Sequence, residues 1–387
     1  MQSKRTISLK EARALTIDRQ FPSFPSNRNA LLSIIERLGY VQIDTISIVE
    51  RSHHHILWSR MPGYEQTMLG ELLEHEKSIF EYWSHAASYL PMKDYKFSLL
   101  RKSSHTTKYK DWRTSNSKLI RLILDRIRAE GPLSSREFDG KSTGASGWWN
   151  HKPAKAALEF LFHSGDLMVS ARKNFAKYYD LPERVLPSGV ITEIPGRIDF
   201  LKHLITRSVE AHGIVSDKEI LHLQGKSDND YLKAIRELEE DGRIVSAAIE
   251  GLDNFLFRTK ETFLEKISSK SLNTVRILSP FDNTVIHRAR LKKIFGFSYT
   301  LECYLPEEKR KFGYFCLPVL SGNSFIAMLD CKAHRKDGIL EVKNFHTQGI
   351  RRKEFYELIK DDILELGKFA GCKRVEINKS VKNGRSL

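Results

Sequence analysis

Between residues 116 and 260 the chain states one pattern twice, and that pattern leaves few folds open. The first copy reads KLIRLILDRIRAEGPLSSREF and then PAKAALEFLFHSGDLMVSARKNFAKYYDL. The second reads IDFLKHLITRSVEAHGIVSDKEI and then YLKAIRELEEDGRIVSAAIEGLDNFLFRT. In each, a helix ends at a glycine (Gly131, Gly213) and a short apolar step with Ser134 or Ser216 caps a second helix. A third helix then ends at Gly165 or Gly242 and opens into an alternating hairpin. Helix, turn, helix, helix and a two-stranded wing is the order of a winged helix, here in tandem. The third helix of the first copy begins after Gly147-Trp148-Trp149-Asn150-His151, and its wing carries Arg172, Lys173 and Lys177. A basic wing suits a phosphate backbone. The second wing, with Glu250 and Asp253, lacks that basic tip. Winged helices also serve as structural or protein-contact modules, so the pattern alone leaves DNA binding open.

The flanking chain reads as α+β. Ser8-Leu9-Lys10-Glu11 has the form of a capping box, opening a helix that ends before Phe21-Pro22. Leu31, Leu32, Ile34, Ile35 and Leu38 stripe a second helix that stops at Gly39. After Pro62-Gly63 two further helical stretches are expected, LGELLEHEKSIFEYWSHAASYLP and MKDYKFSLLRKSSHTTKYK, with Phe80, Tyr82 and Trp83 packed in a core. Beyond residue 270 four or five strands turn at Ser321-Gly322-Asn323 and Lys336-Asp337-Gly338, before a helix over about 350–370 and a short strand from Lys373 to Ile377. The expected units are 1–112, a winged-helix-like domain; 113–195 and 196–262, the second and third winged helices; and 263–387, a β-rich domain with a late helix.

Charge narrows the partners. Of 387 residues, 63 are Lys or Arg against 48 Asp or Glu, a formal +15 that favours polyanions. Cys303, Cys316, Cys331 and Cys372 have no CxxC spacing and read as reduced, intracellular residues. The N-terminal MQSKRTISLKEARAL has no signal-peptide run and no long apolar stretch follows, so a cytoplasmic protein without a membrane span is expected.

The chemistry-bearing stretch is LGYVQIDTISIVERSHHHILWSRMPGY, Leu38 to Tyr64. If residues 40–46 are extended, Gln42 and Asp44 share a face opposite Val41 and Ile43 and form a plausible water-binding pair. The ordinary reading of an isolated Gln-x-Asp is a solvated edge or a helix cap. Downstream, Arg51, His53, His54, His55, Trp58 and Arg60 suggest an amphipathic helix with a cationic, aromatic face. Three consecutive histidines fan around a helix and cannot share one ion, and no HExxH occurs, so no metal is expected.

Several separated motifs together resemble the tandem winged-helix DNA glycosylases of the YcaQ/AlkX and AlkZ type: LGYVQIDTISIVERSHHHILWSR, FEYWSHAAS, GWWNHKPAKAALEFLFHSGDL, YYDLPERVLP and SPFDNTVIHRARLKKIFGFSYTLECYLPEEKRKFGYFCLPVL. The resemblance spans nearly the whole chain. It implies three winged helices and a β-rich C-terminal domain around a cationic channel for duplex DNA. It also implies excision of alkylated purines and unhooking of interstrand crosslinks joined through guanine N7. Gln42-Ile43-Asp44 matches the Gln-x-Asp form of the family motif, which points to the crosslink-repair branch. Asp44 would stabilise the developing oxocarbenium or activate water, and Gln42 would orient that water. A monofunctional, metal-independent enzyme without cofactor is implied. Candidate phosphate contacts are Arg51, His53, His54, Arg60, Arg172, Lys173, Lys309, Arg310 and Lys311.

The main alternative is a non-enzymatic winged-helix regulator, which would have no use for Asp44 beside Gln42. A nuclease would need several carboxylates around Mg²⁺, and a protein-binding scaffold would bind DNA weakly or without salt dependence. A monomer in the bacterial cytoplasm, at the nucleoid when bound to double-stranded DNA, is the expected state.

Overall fold

The computed structural model describes residues 5–22, 28–138, 151–267 and 274–378. The Gly147-Trp148-Trp149-Asn150 step lies outside them. Three helix-and-wing modules and a C-terminal sheet are present. Module two runs through helix Ser117–Glu130, a 3-10 turn Ser135–Phe138, helix His151–Ser164 and the hairpin Met168–Lys173/Ala176–Asp180. Module three runs through Arg197–His212, Asp217–Ile220, Asn229–Glu240 and the hairpin Val245–Ile249/Phe257–Thr259.

Module one repeats the order with a detour. Helix Arg28–Leu38 ends at Gly39, whose φ of +76° a side chain rarely adopts. A Cβ there would also stand 2.5 Å from Cδ of Arg207. Strand Val41–Gln42 follows, then helix Ser52–Trp58, then helix Gln66–Gly70 continued by a π-turn Glu71–His75. The module closes on the hairpin Ile79–Trp83/Ala87–Pro91, which pairs with Val41–Gln42 in the order first strand, last strand, middle strand.

Residues 79–91 are therefore a β-hairpin and not the end of a helix. The strand Ile79–Trp83 is buried on both faces as far as Tyr82: Ile79 joins the core of module one with Val41 and Leu72, while Phe80 and Tyr82 enter the core of module two with Leu158 and Phe162. Trp83, expected in the core with them, is exposed at the strand's end. A strand covered on both sides shows no polar alternation, so its residues read as a helical apolar run. The amphipathic helix expected from Arg51, the three histidines, Trp58 and Arg60 is confined to Ser52–Trp58. Ile46, Ile48 and Val49 lie in an extended segment packed on the C-terminal sheet.

Packing crosses the boundaries drawn on the sequence. The capping box at Ser8 and Glu11 forms, with the Glu11 backbone N–H donating to Ser8 Oγ at 3.2 Å and the Ser8 N–H donating to Glu11 Oε2 at 2.8 Å. The helix it opens, Leu9–Gln20, packs with Ile214, Phe257, Leu291 and Phe295, far along the chain. Strand Arg5–Ile7 pairs in parallel with Val245–Ile249 and covers the outer edge of the third wing.

The C-terminal sheet has, among the described residues, five strands in chain order, Val275–Ile277, Leu317–Ser321, Ser324–His334, Ile339–Thr347 and Arg374–Ile377, with helix Arg352–Phe369 laid on it. No described helix is long and apolar enough to cross a membrane.

Candidate active site

The three modules can be superposed by counting from the glycine that ends their first helix. Three residues past Gly39, Gly131 and Gly213 stand Gln42, Ser134 and Ser216. In modules two and three that serine starts the next helix: the Ser134 backbone N–H donates to Glu137 Oε2 at 2.9 Å, and Ser216 forms a capping box with Glu219. In module one the position holds Gln42, and the next helix begins ten positions later at Ser52. The chain between leaves the module and meets the C-terminal sheet. There the Ala333 N–H donates to Ile48 O at 2.9 Å, and Arg335 donates to the carbonyls of Ser47 and Val49.

Gln42 pairs across the sheet with Ser88, and the Ile43 N–H donates to Ala87 O at 2.8 Å, continuing the extended backbone. Val41 and Ile43 enter the core. Gln42 is buried too, and its Oε1 lies 3.0 Å from Nε2 of His85 at the turn of the wing. Asp44 is half-buried. Its Oδ1 accepts the Ile46 N–H at 2.7 Å, a turn that the side chain closes on its own backbone. Burial raises the Asp44 carboxyl above the usual carboxylate range, and the Ile46 N–H opposes that shift. Among the described residues no cation pairs with it.

The loop 302–314 lies within electrostatic reach of Asp44. Burial and then the charge of Asp44 push the Cys303 thiol up, and burial, Cys303 and Asp44 push up the phenol of Tyr304. Tyr304 is 74 % exposed. The loop is held from within by Glu302, whose Oε2 accepts the backbone N–H groups of Lys311 (3.0 Å), Phe312 (2.8 Å) and Gly313 (3.2 Å). Lys309 and Lys311 project from it into solvent, while Arg310 is half-buried, donating to Leu305 O at 2.9 Å and lying over the Tyr314 ring.

The other sequence candidates separate into surface and scaffold. Lys173 is exposed at the wing of module two. Arg51 is half-buried, its guanidinium 4.3 Å from the Phe175 ring centroid. Arg172 covers the same ring and is held by the buried Glu81 at 2.7 and 2.8 Å, so the basic wing tip is partly an internal contact. Asn174 and Phe175, at φ +48° and +67°, make the tight turn that inserts Phe175 into module one. A left-handed phenylalanine costs roughly 1–3 kcal/mol, which this packing offsets.

Arg60 and His53 require correction as phosphate contacts. The Arg60 side chain is fully buried and forked onto Asp282 at 2.6 and 3.0 Å. His53 is buried against Tyr89 and Phe175. The expected cationic face is absent because the three histidines are packed: His54 Nδ1 lies 2.7 Å from Tyr64 Oη, and His55 Nε2 donates to Ile277 O at 2.9 Å. Burial lowers all three, His54 and His55 to about 4, so they are neutral near pH 7. In the sequence His85 and Tyr304 fall within the resembling motifs FEYWSHAAS and YTLECYLPEEK, but neither has an assigned role. Their partners lie across a hairpin and across the molecule, where spacing carries no signal.

A family model described as "DNA glycosylase AlkZ-like" matches residues 35–359. Among solved structures, the fold matches a DNA glycosylase AlkZ from Streptomyces sahachiroi with a TM-score of 0.63 at 15% identity, covering 96% of this chain and 100% of that one.

Proposed function

The chain belongs to the AlkZ-like family of DNA glycosylases, enzymes that hydrolyse N-glycosidic bonds, and from that premise we propose that it excises N7-alkylated purines from double-stranded DNA and unhooks crosslinks joined through guanine N7. The observation that carries the reading is Asp44: a half-buried carboxylate, unneutralised by any described cation, two residues from Gln42. An N7-alkylpurine is already cationic and leaves as a neutral base, so the barrier lies in the sugar. A carboxylate about 4 Å from a developing oxocarbenium gains ~4 kcal/mol at an effective dielectric near 20, roughly a thousandfold in rate.

Asp44 stabilises that cation or takes the proton of the attacking water, and Gln42 orients the water through a side chain that does not titrate. With no amine nucleophile the enzyme is monofunctional and leaves an abasic site, and the chemistry needs no metal. A base tethered to both strands resists extrusion into a deep pocket. The partial exposure of Asp44 suits a lesion approached along a groove. Lys173, Lys309, Arg310, Lys311 and Arg51 hold the flanking phosphates. The protein acts as a monomer in the bacterial cytoplasm, its chain divided over 1–112, 113–195, 196–262 and 263–387, with Arg5–Ile7 and Leu9–Gln20 of the first stretch packed on the third module and the C-terminal part.

The test is release of 7-methylguanine, and unhooking of an N7-guanine crosslink, from duplex DNA in EDTA by the native protein, Asp44→Asn and Gln42→Ala. Excision lost in Asp44→Asn with DNA binding retained supports the reading. DNA binding without excision of either lesion by the native protein overturns it.

A further inference from the structure

His85 sits at the turn of the first wing, between the strands Ile79–Trp83 and Ala87–Pro91. Its ring is set edge-on against Tyr40, with centroids 4.9 Å apart and planes at 78°, and its Nε2 faces Gln42 Oε1 at 3.0 Å. A glutamine amide has two orientations of nearly equal shape, distinguished only by what its oxygen and nitrogen meet. For Gln42, buried in a sheet, that choice decides whether a donor or an acceptor is presented to the reacting water.

Resting on the glycosylase reading above, we propose that His85 is a positioning residue: its Nε2–H donates to Gln42 Oε1 and turns the Gln42 amide nitrogen toward the attacking water, whose proton Asp44 accepts. The imidazole is suited to a fixed role. Burial first, then the charges of His222, Arg207 and Arg101, lower it to about 4, so it stays neutral and does not compete for the proton. In the Nε2–H tautomer its one donor points at Gln42. The role acts through another residue and requires no contact with substrate. The same position in the other two modules is a helix-capping serine, which needs no such partner.

The experiment is single-turnover release of 7-methylguanine from duplex DNA, with DNA affinity and urea midpoint measured alongside. His85→Phe keeps the ring volume and removes the donor, and should slow the chemical step about 10- to 100-fold with DNA affinity unchanged. His85→Gln restores an N–H donor and should recover most of that loss. In a Gln42→Ala background, His85→Phe should have no further effect. Full rate in His85→Phe, or an equal loss in both backgrounds, overturns the proposal.

A second readout does not depend on turnover. In protein labelled with ¹⁵N-histidine, the His85 nitrogen shifts should report the Nε2–H tautomer, and Gln42→Ala should relax it toward a mixture. Shifts unmoved by Gln42→Ala overturn the proposal while leaving the glycosylase reading standing. A native protein that releases no base overturns that reading, whatever the shifts report.

Discussion

Replacing Arg60 by leucine separates a scaffold role from a DNA-binding one. The guanidinium donates to both oxygens of Asp282, to Gln20 O at 2.9 Å, to Gln20 Oε1 at 3.2 Å and to Ile56 O at 3.0 Å, so it ties the first helix, the histidine helix and the Ser279–Thr284 turn together. Neither partner of the ion pair is exposed. Removing one member of a buried pair leaves the other desolvated and typically costs about 3–5 kcal/mol. Arg60→Leu should therefore lower the unfolding free energy by about that much in urea, and Arg60→Leu with Asp282→Leu should cost less than the sum of the single changes.

The pH dependence has a definite sign. Burial raises the Asp282 carboxyl, but Arg60 and Thr284 together hold it below the usual range, so its contribution is present above the unfolded carboxyl value of about 3.9 and lost as pH falls through the lower folded value. Without Arg60, burial dominates and Asp282 takes up a proton on folding at mildly acid pH. The deficit of Arg60→Leu should thus be largest near neutrality and shrink on acidification. In DNA binding the slope of log K against log salt should stay that of the native protein. A variant with unchanged urea midpoint and a slope shallower by about 0.9, the signature of one lost phosphate contact, would refute this account.

Other outcomes follow from the same structure. Asp44→Asn should slow excision about a hundredfold or more. Because burial raises the Asp44 carboxyl, the native rate should fall with acidification at a higher pH than a free carboxylate would give, and the pH–rate profile of Asp44→Asn should lack that limb. Lys173→Ala, Lys309→Ala and Lys311→Ala should each flatten the salt dependence of DNA binding by up to about 0.9, read from titrations at several salt concentrations. Arg172→Ala should instead behave as a stability variant, losing stability in urea because Glu81 has no exposure to water, but less than the roughly 3–5 kcal/mol of a fully orphaned charge because Lys177 remains 3.8 Å from it. Gly39→Ala should cost roughly 2–4 kcal/mol, from left-handed strain and from the Arg207 stem that the new methyl meets, and the urea midpoint measures it.

What was legible in the sequence was local. The second and third modules announce themselves through Gly131, Gly213 and the serine caps because these signals sit within a few residues of one another. In the first module the corresponding signals are dispersed: the cap is a glutamine, the next helix is displaced, and its wing is buried on both faces. Gln42 and Asp44 stood out through their motif. The cations were harder to sort, since nothing near Arg60 or Arg172 betrays that Asp282 and Glu81 neutralise them from 222 and 91 residues away. His85 reaches Gln42 across 43 residues for the same reason.

The nine residues from Ile43 to Arg51 also act as a strut with two anchors. One end is fixed to the first wing through Ile43 and Ala87, and the other to the C-terminal sheet through Ile48 and Ala333. Asp44 hangs from this strut, while Gln42 belongs to the wing alone. A rigid-body shift of the C-terminal sheet against the first module would therefore move the carboxylate relative to the amide, with no change in either side chain.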